Sequence, residues 1–435
     1  MTATTGNAAA LRAKIDDHSA LIGIIGLGYV GLPLAFAFAE KGFRVLGFDV
    51  DPAKPEMIRA RRCYIQHLDG RRLERAVEQG LLEATTDFER LGEPDCILIC
   101  VPTPLTPQRE PDMRYVESSA RQIAPALRPG QLVVLESTTY PGTTDELVRS
   151  ILEAGQGSEP PVLGESYFLA FSPEREDPGN PRYGTTNTPK VVGGVGEVSG
   201  DLAEALYAQV IEKVVRVSSA RAAEASKLTE NIFRAVNIAL VNELKMVYDR
   251  MAIDVWEVLD AAATKPFGFM RFNPGPGWGG HCIPLDPFYL AWKARESGAT
   301  TRFIELAGEV NVRMPEYVVE KLMLALNDRG TAVKGSRILV LGLAYKKDID
   351  DPRESPAFEL IEKLLHLGAE VSYHDPHIPE APRMRTWPDL PKMRSVDLAG
   401  DLSAYAAALL VTDHSKVDYA RLLEALPLIL DTLGV

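Results

Sequence analysis

Short apolar runs rich in β-branched side chains recur through the first half of the chain. They are LIGIIG from Leu21, RVLGFD from Arg44, CILICV from Cys96, LVVLES from Leu132 and FLAFS from Phe168. Stretches with helical periodicity separate them. Near-continuous apolar runs alternating with helices predict a parallel sheet covered on both faces. From about Ala222 to Met251 the rhythm changes. AAEASKLTENIFRAVNIALVNELKMVYDRM holds no Gly or Pro, and its apolar positions recur with a 3.6-residue period, so it predicts one long helix. DVWEVLDAAAT continues in the same vein, and a Gly/Pro-rich loop follows from Phe267 to Pro287. Helical periodicity returns from about Ala299 to Asn327. Beyond RGTAVKGS come RILVLG, AEVSYHD, ALLVTDH and LILD, a second and smaller set of strand-like runs. The expected fold is α/β: two Rossmann-like parallel-sheet domains joined by a long central helix and a helical middle region. The expected bounds are 1–220, 221–329 and 330–435.

Composition narrows the function classes. The chain has 435 residues, 46% of them apolar, enough for two or three sizeable cores. Its net charge is −13, which argues against a nucleic-acid binder, because such a protein needs a basic footprint. Four cysteines do not make a disulfide framework. Cys96 and Cys100, at i,i+4 on one strand face, read as buried packing, and Cys63 has no evident partner. No CxxC pair is present, no metal is expected, and a reducing cytoplasmic compartment is expected. The uncharged run Leu21–Ala39 is long enough to suggest a membrane span. Its four glycines and one proline favour a buried strand-turn-helix instead, so no membrane partner is expected. The preceding twenty residues do not read as a signal peptide.

That same run contains Gly26-x-Gly28-x-x-Gly31 directly after a strand, with Tyr29 and Val30 between the last two glycines. The first glycine permits a tight turn, the second lets backbone approach a pyrophosphate, and the third lets helix pack closely on strand. Asp49 closes the second strand, where a carboxylate hydrogen-bonds a ribose 2′-hydroxyl and repels a 2′-phosphate. NAD is therefore expected rather than NADP. Thr103 in VPTP and Thr138 in ESTTYPGTT follow later strand ends and are candidates for the nicotinamide half. The thiol in GWGGHCIPLD, Cys282, has three readings from its neighbours alone: a nucleophile, a metal ligand with His281, or a core filler. Lys227 and Asn231 stand at i,i+4 on the long helix, hence on one face, with Arg234 at i+7 from Lys227.

Six stretches in order (GLGYVGLPLA, ESTTYPGTT, SPERE, KLTEN, GWGGHCIPLD and GLAYKKDIDDPRES) make the chain similar to the UDP-glucose/GDP-mannose dehydrogenase family along nearly its whole length. FSPEREDPGN and GGHCIPLDPFYL resemble the branch acting on UDP-N-acetylhexosamines, UDP-N-acetylglucosamine foremost. The resemblance implies four-electron oxidation of a sugar C6 alcohol to a carboxylate with two NAD. It makes Cys282 the nucleophile, forming a thiohemiacetal and then a thioester. It gives Lys227 and Asn231 the oxyanions, Glu174 the activation of water, and Asp286 the ordering of water and lysine. Thr138 joins this catalytic set. Substrate contacts are implied for Arg175, Glu176, Arg234, Arg271, Gly279, Tyr345 and Lys346, and a cofactor contact for Arg353. The three expected domains become NAD-binding, central with the cysteine loop, and UDP-sugar-binding, and a homodimer or higher homo-oligomer is implied. Two departures stand out. Some glucose-specific relatives carry a second acid four residues past the first, where this chain has Pro178. Related chains commonly end in a basic residue where this one has Leu433. UDP-N-acetylmannosamine and UDP-glucose are the alternative substrates. Outside this class stand a two-electron hydroxyacid dehydrogenase, which would not need Cys282, and a non-catalytic nucleotide-sugar binder.

Overall fold

Eight strands form the first sheet: β1 (Leu21–Ile25), β2 (Arg44–Phe48), β3 (Leu82–Thr85), β4 (Cys96–Ile99), β5 (Gln131–Leu135), β6 (Tyr167–Phe171), β7 (Lys190–Gly194) and β8 (Val214–Val217). In this computed structural model they lie in the order β3-β2-β1-β4-β5-β6-β7-β8. The structure describes residues 6–65, 68–106, 108, 110–154, 160–175, 182–280, 283, 285–384 and 386–435. All neighbours in this sheet are parallel except β6 and β7, which pair antiparallel through Ala170↔Gly194 and Phe171↔Gly193. That departs from the purely parallel expectation. An antiparallel neighbour needs no crossover helix, and the described part of the β6–β7 connection carries none.

The central strands β4, β5, β6 and β7 are buried at every position, which is why most of their sequences read as continuous apolar runs. Three strands escape that reading. The outer strands β3 (LEAT) and β8 (VVRV) are only partly buried, and β7 (KVVGG) carries a lysine and a glycine pair. The helix Gly31–Glu40 is buried from Gly31 to Ala39. Phe36 and Phe38 are both within 1% of full burial, and each contributes about 2–3 kcal/mol of apolar transfer. The long apolar run is therefore a core strand-turn-helix. Among the described residues no helix is long and apolar enough to cross a membrane. A helix not expected from the sequence, Gly6–Asp16, buries Ala8, Leu11 and Ile15.

The second sheet has the predicted four strands, β9 (Arg337–Leu341), β10 (Glu370–His374), β11 (Ala407–Leu410) and β12 (Ile429–Asp431), all parallel in the order β10-β9-β11-β12. The long helix runs from Ala220 to Arg250. Helices Val255–Ala263, Asp286–Glu296 and Arg302–Asn327 follow it, and Pro356–His366 packs behind β9 and β10. The chain divides into two compact units, Met1–Glu230 and Asn231–Val435, with the boundary inside the long helix. Within the second unit the long helix is tied to Arg302–Asn327 by buried amides. Asn242 donates to Asn311 at 2.8 Å, and Asn311 donates to the Ala235 carbonyl at 3.1 Å. Both side chains are fully buried, so this pairing removes the penalty of unsatisfied amides.

Candidate active site

The turn after β1 tests each expected glycine. Gly26 has φ 93°, and a Cβ there would lie 2.5 Å from the Cys100 carbonyl oxygen. Gly31 starts the buried helix, and its Cβ would fall 1.9 Å from the Gly26 carbonyl oxygen. No side chain fits at either position. Gly28 meets nothing within 4 Å, so the backbone there is open to approach at a helix N-terminus. The turn fits a dinucleotide pyrophosphate. Tyr29 is exposed and Val30 half-exposed beside it.

Asp49 is buried and already engaged. It accepts the Leu27 amide at 2.9 Å and the Asp51 amide at 3.0 Å, and pairs with the Lys54 ammonium at 2.7 Å. Lys54 was not expected at this position. Its ammonium neutralises the Asp49 charge that was expected to repel a 2′-phosphate.

Thr103 and Thr138 belong to one arrangement. The Thr103 hydroxyl donates to the Thr138 carbonyl at 2.7 Å, and Ser137 donates to the Val101 carbonyl at 2.7 Å, tying the loops after β4 and β5 together. Two buried carboxylates that the sequence did not single out hold this region. Glu136 pairs with Lys190 at 2.7 Å and accepts the Tyr207 hydroxyl, and all three are buried. Burial opposes the Lys190 charge, but Glu136 outweighs it and holds the ammonium above its ordinary value. Glu224, from the long helix, accepts the Gly142 amide at 2.7 Å and the Thr144 amide and hydroxyl at 2.9 and 2.6 Å. Burial pushes its carboxyl up to about 7 against those bonds. Glu224 stands one helical turn before Lys227, so the helix period was a usable clue to it.

Glu174 and Arg175 follow β6 and are half-buried. Arg175 pairs with Glu230 at 2.7 Å and donates to the Pro189 carbonyl at 2.6 Å. The Lys190 ammonium reaches the Pro173 carbonyl at 3.3 Å, directly before Glu174. Glu176 lies outside the described residues.

On the long helix, Lys227 is 7% exposed and Asn231 4%. This is not a solvated face. Lys227 has no hydrogen-bond or ion-pair partner among the described residues, which is uncommon for a lysine so little exposed. Asn231 donates to Asp286, which is itself buried at the start of the Asp286–Glu296 helix. Arg234 is exposed.

In the second unit, Arg271 pairs with Asp260 and reaches Asn273 at 2.9 Å. The glycines before the cysteine fit against neighbouring side chains. A Cβ on Gly279 or Gly280 would lie 3.0 Å from Tyr345, and one on Gly277 would lie 3.5 Å from Pro315 and Pro356. Gly277 and Gly280 also have φ 133° and 84°. These positions let the loop pack on the Tyr345 ring, a use beyond the room for a ligand expected from the sequence. Cys282 and His281 lie outside the described residues. Tyr345 and Lys346 are half-buried in the turn after β9, where the Tyr345 amide bonds the Asp351 carbonyl at 3.0 Å. Arg353 forms a two-pronged pair with Asp351 at 2.9 and 2.6 Å. Leu433 packs against an apolar cluster that includes Leu422 and Leu426, so an apolar side chain suits its surroundings. Cys96 and Cys100 are buried, and burial pushes both thiols up, away from reactivity.

Three domain descriptions of the UDP-glucose/GDP-mannose dehydrogenase family match the chain in order: the NAD binding domain at residues 20–211, the central domain at 221–313 and the UDP binding domain at 339–435. The chain is 37% identical over 433 residues to the NDP-N-acetyl-D-galactosaminuronic acid dehydrogenase of Ralstonia nicotianae, covering 97% of each. It is 38% identical over 410 residues to the UDP-N-acetyl-D-mannosamine dehydrogenase of Escherichia coli, covering 91% of this chain and 94% of the relative. It is 35% identical over 358 residues to a UDP-N-acetyl-D-glucosamine 6-dehydrogenase of Pseudomonas aeruginosa, covering 82% and 83%. A solved UDP-D-ManNAc dehydrogenase from Pyrococcus horikoshii superposes with a TM-score of 0.84 at 32% identity, covering 95% of each chain.

Proposed function

The chain belongs to the UDP-glucose/GDP-mannose dehydrogenase family and uses NAD, and on that footing we propose that it oxidises C6 of a UDP-N-acetylhexosamine to the uronate. UDP-N-acetylglucosamine is the first substrate to test. The relatives named for galacto, manno and gluco sugars keep UDP-N-acetylmannosamine in the panel. The product is a precursor for polysaccharide synthesis. The observation that carries the reading is the buried, unpartnered Lys227, one helical turn from an Asn231 bonded to Asp286. An ammonium held without a counter-ion beside an oriented amide stabilises an oxyanion strongly, because little reorganisation is needed as charge develops.

The chemistry NAD would supply when bound is hydride acceptance in each of two oxidations, one NAD per oxidation, the first taking the C6 alcohol to an aldehyde with the hydroxyl proton leaving to water. The Cys282 thiolate adds to the C6 aldehyde. Lys227 and Asn231 hold the resulting oxyanion, and its collapse with loss of hydride leaves a thioester. Glu174 takes a proton from water, which attacks the thioester and releases the thiolate with the uronate. Asp286 fixes the Asn231 amide. The Gly26–Gly31 turn, Tyr29, Val30, Asp49, Thr103, Thr138 and Arg353 serve the cofactor, while Arg175, Glu176, Arg234, Arg271, Gly279, Tyr345 and Lys346 serve the sugar nucleotide. Three units of function accompany these roles: NAD-binding at 1–220, central at 221–329 and UDP-sugar-binding at 330–435.

A homo-oligomer is part of the proposal. Phe233, Leu240 and Val247 are exposed at seven-residue spacing on the long helix, and Phe267 and Met270 are exposed in the loop beyond it, an apolar surface suited to a second copy. The nucleophilic role given to Cys282 requires a reduced thiol, which supports a reducing, cytoplasmic setting. The test is to count NADH against product across a panel of UDP-sugars. Two NADH per uronate, with kcat reduced roughly 10²–10³-fold in Lys227→Ala, is the expected result. One NADH per product would make the enzyme a two-electron dehydrogenase.

A further inference from the structure

Three metal-ligating side chains that the oxidation does not use meet at the strand ends of the second sheet. Asp348 lies beyond β9, His377 beyond β10 and His414 beyond β11, and one ligand atom of each lies within 4.8 Å of the others. The Asp348 Oδ1 is 3.7 Å from His377 Nε2 and 3.8 Å from His414 Nδ1. Packing explains His414 but not His377. His377 Nε2 is buried without a hydrogen-bond partner among the described residues. A buried polar atom left unpaired is costly and calls for a ligand.

The surroundings preorganise the other two groups. His414 Nε2 lies 3.0 Å from the Asp375 carboxylate, and neither side chain is exposed. That carboxylate is an acceptor for the amides of Leu343, Ala344, His377 and Ile378, so it accepts a hydrogen bond from His414 Nε2–H and leaves the Nδ1 lone pair facing Asp348. A carboxylate behind an imidazole is the usual support of a metal-bound histidine. Asp348 has φ 58°, and its oxygens are fixed by the Ser415 amide at 2.8 Å and hydroxyl at 2.6 Å. The neighbouring Lys347 is neutralised by Asp413 at 2.8 Å.

The geometry points to a divalent transition-metal site formed by Asp348, His377 and His414, with its remaining positions open to water or an oxyanion. Two imidazoles and one carboxylate suit Zn²⁺ or Co²⁺, whereas Mg²⁺ and Ca²⁺ prefer all-oxygen sets. Tetrahedral ligands at about 2.1 Å from the ion stand about 3.4 Å apart, so the two Asp348 spacings of 3.7 and 3.8 Å close by a few tenths of an ångström, while the two imidazole nitrogens, within 4.8 Å of each other, close by at most about 1.4 Å. Binding takes His414 Nδ1 from the Asp348 amide, which it accepts at 3.0 Å in the free chain, and supplies the missing partner of His377. The ion would brace the turn that carries Tyr345 and Lys346.

Titration of the chelator-stripped, full-length chain with Co²⁺, followed by visible absorption, tests the site. One Co²⁺ per chain is expected, with ligand-field bands from nitrogen and oxygen donors and no thiolate charge-transfer band. Cys282→Ser should bind equally. His377→Phe should bind at least about 100-fold more weakly. Asp348→Asn, which keeps a residue tolerant of positive φ, should also bind more weakly while its metal-free melting temperature stays within a few degrees of wild type. Absence of binding by the wild type, equal binding by both ligand variants, or a thiolate band lost in Cys282→Ser would each overturn the assignment.

Discussion

The turn after β1 and the turn after β9 begin alike and then part. Each opens with a positive-φ glycine pressed on the loop of the neighbouring strand: a Cβ on Gly26 would lie 2.5 Å from the Cys100 carbonyl oxygen, and one on Gly342 would lie 2.6 Å from that of Thr412. Each is held by a carboxylate closing the next strand, Asp49 on one amide and Asp375 on two. Then the first continues through an open Gly28 into a helix at Gly31, while the second places Ala344, Tyr345 and Lys346 there and delays its helix to Pro356. The first leaves its backbone bare for a pyrophosphate at a helix N-terminus. The second fills that space with side chains, which suits recognition by contacts to a base and phosphates. A shared βα device has thus been specialised by the residues beyond its first glycine.

If both turns only hold nucleotides, the bond-making group lies elsewhere. Cys282→Ser should therefore lower turnover at least about 10³-fold while leaving the affinities for NAD and UDP-sugar within a few-fold of wild type. Steady-state rates beside equilibrium binding read this, and a large loss of NAD affinity would return the cysteine to a binding role.

Gly31→Ala must displace the Gly26 carbonyl, and overpacking against backbone costs on the order of 3 kcal/mol. Gly28→Ala has room, so it should unfold like the wild type and raise the KM for NAD about tenfold or more. Urea unfolding and NAD kinetics on the pair separate the two glycines. Equal stability losses would erase the distinction between them.

The first unit also clamps the loop after β5 with buried Glu224. Its carboxyl, at about 7, lies above the ordinary 4.5, so the folded chain keeps a proton that the unfolded chain has lost between those values. Stability should accordingly fall as pH rises from about 4.5 to about 7, by at most roughly 3 kcal/mol, and level off above. Glu224→Gln should lack that slope. Parallel stability curves for the two proteins would remove Glu224 as its source.

The smallest effect concerns Asp49. Asp49→Ala frees Lys54 at the ribose position, and kcat/KM for NADP relative to NAD should rise about tenfold, or roughly 1.4 kcal/mol. An unchanged ratio would place the discrimination on other residues.

Features that depend on local chemistry were legible along the chain. Apolar runs marked most strands of both sheets, the absence of Gly and Pro marked the long helix, and glycine spacing marked the dinucleotide turn. The ordered motifs carried the family resemblance, with Lys227, Asn231 and Asp286 among their residues. Partners distant in sequence emerged only with the folded chain. Folding reversed β7, buried Lys227 without a counter-ion among the described residues, set Lys54 on Asp49, and placed Glu136 on Lys190 and Tyr207. It also brought Asp348, His377 and His414 from three strand ends to one point. Periodicity and spacing report the faces of single elements, whereas burial and pairing depend on which elements the sheet order makes neighbours, and no local pattern encodes that order.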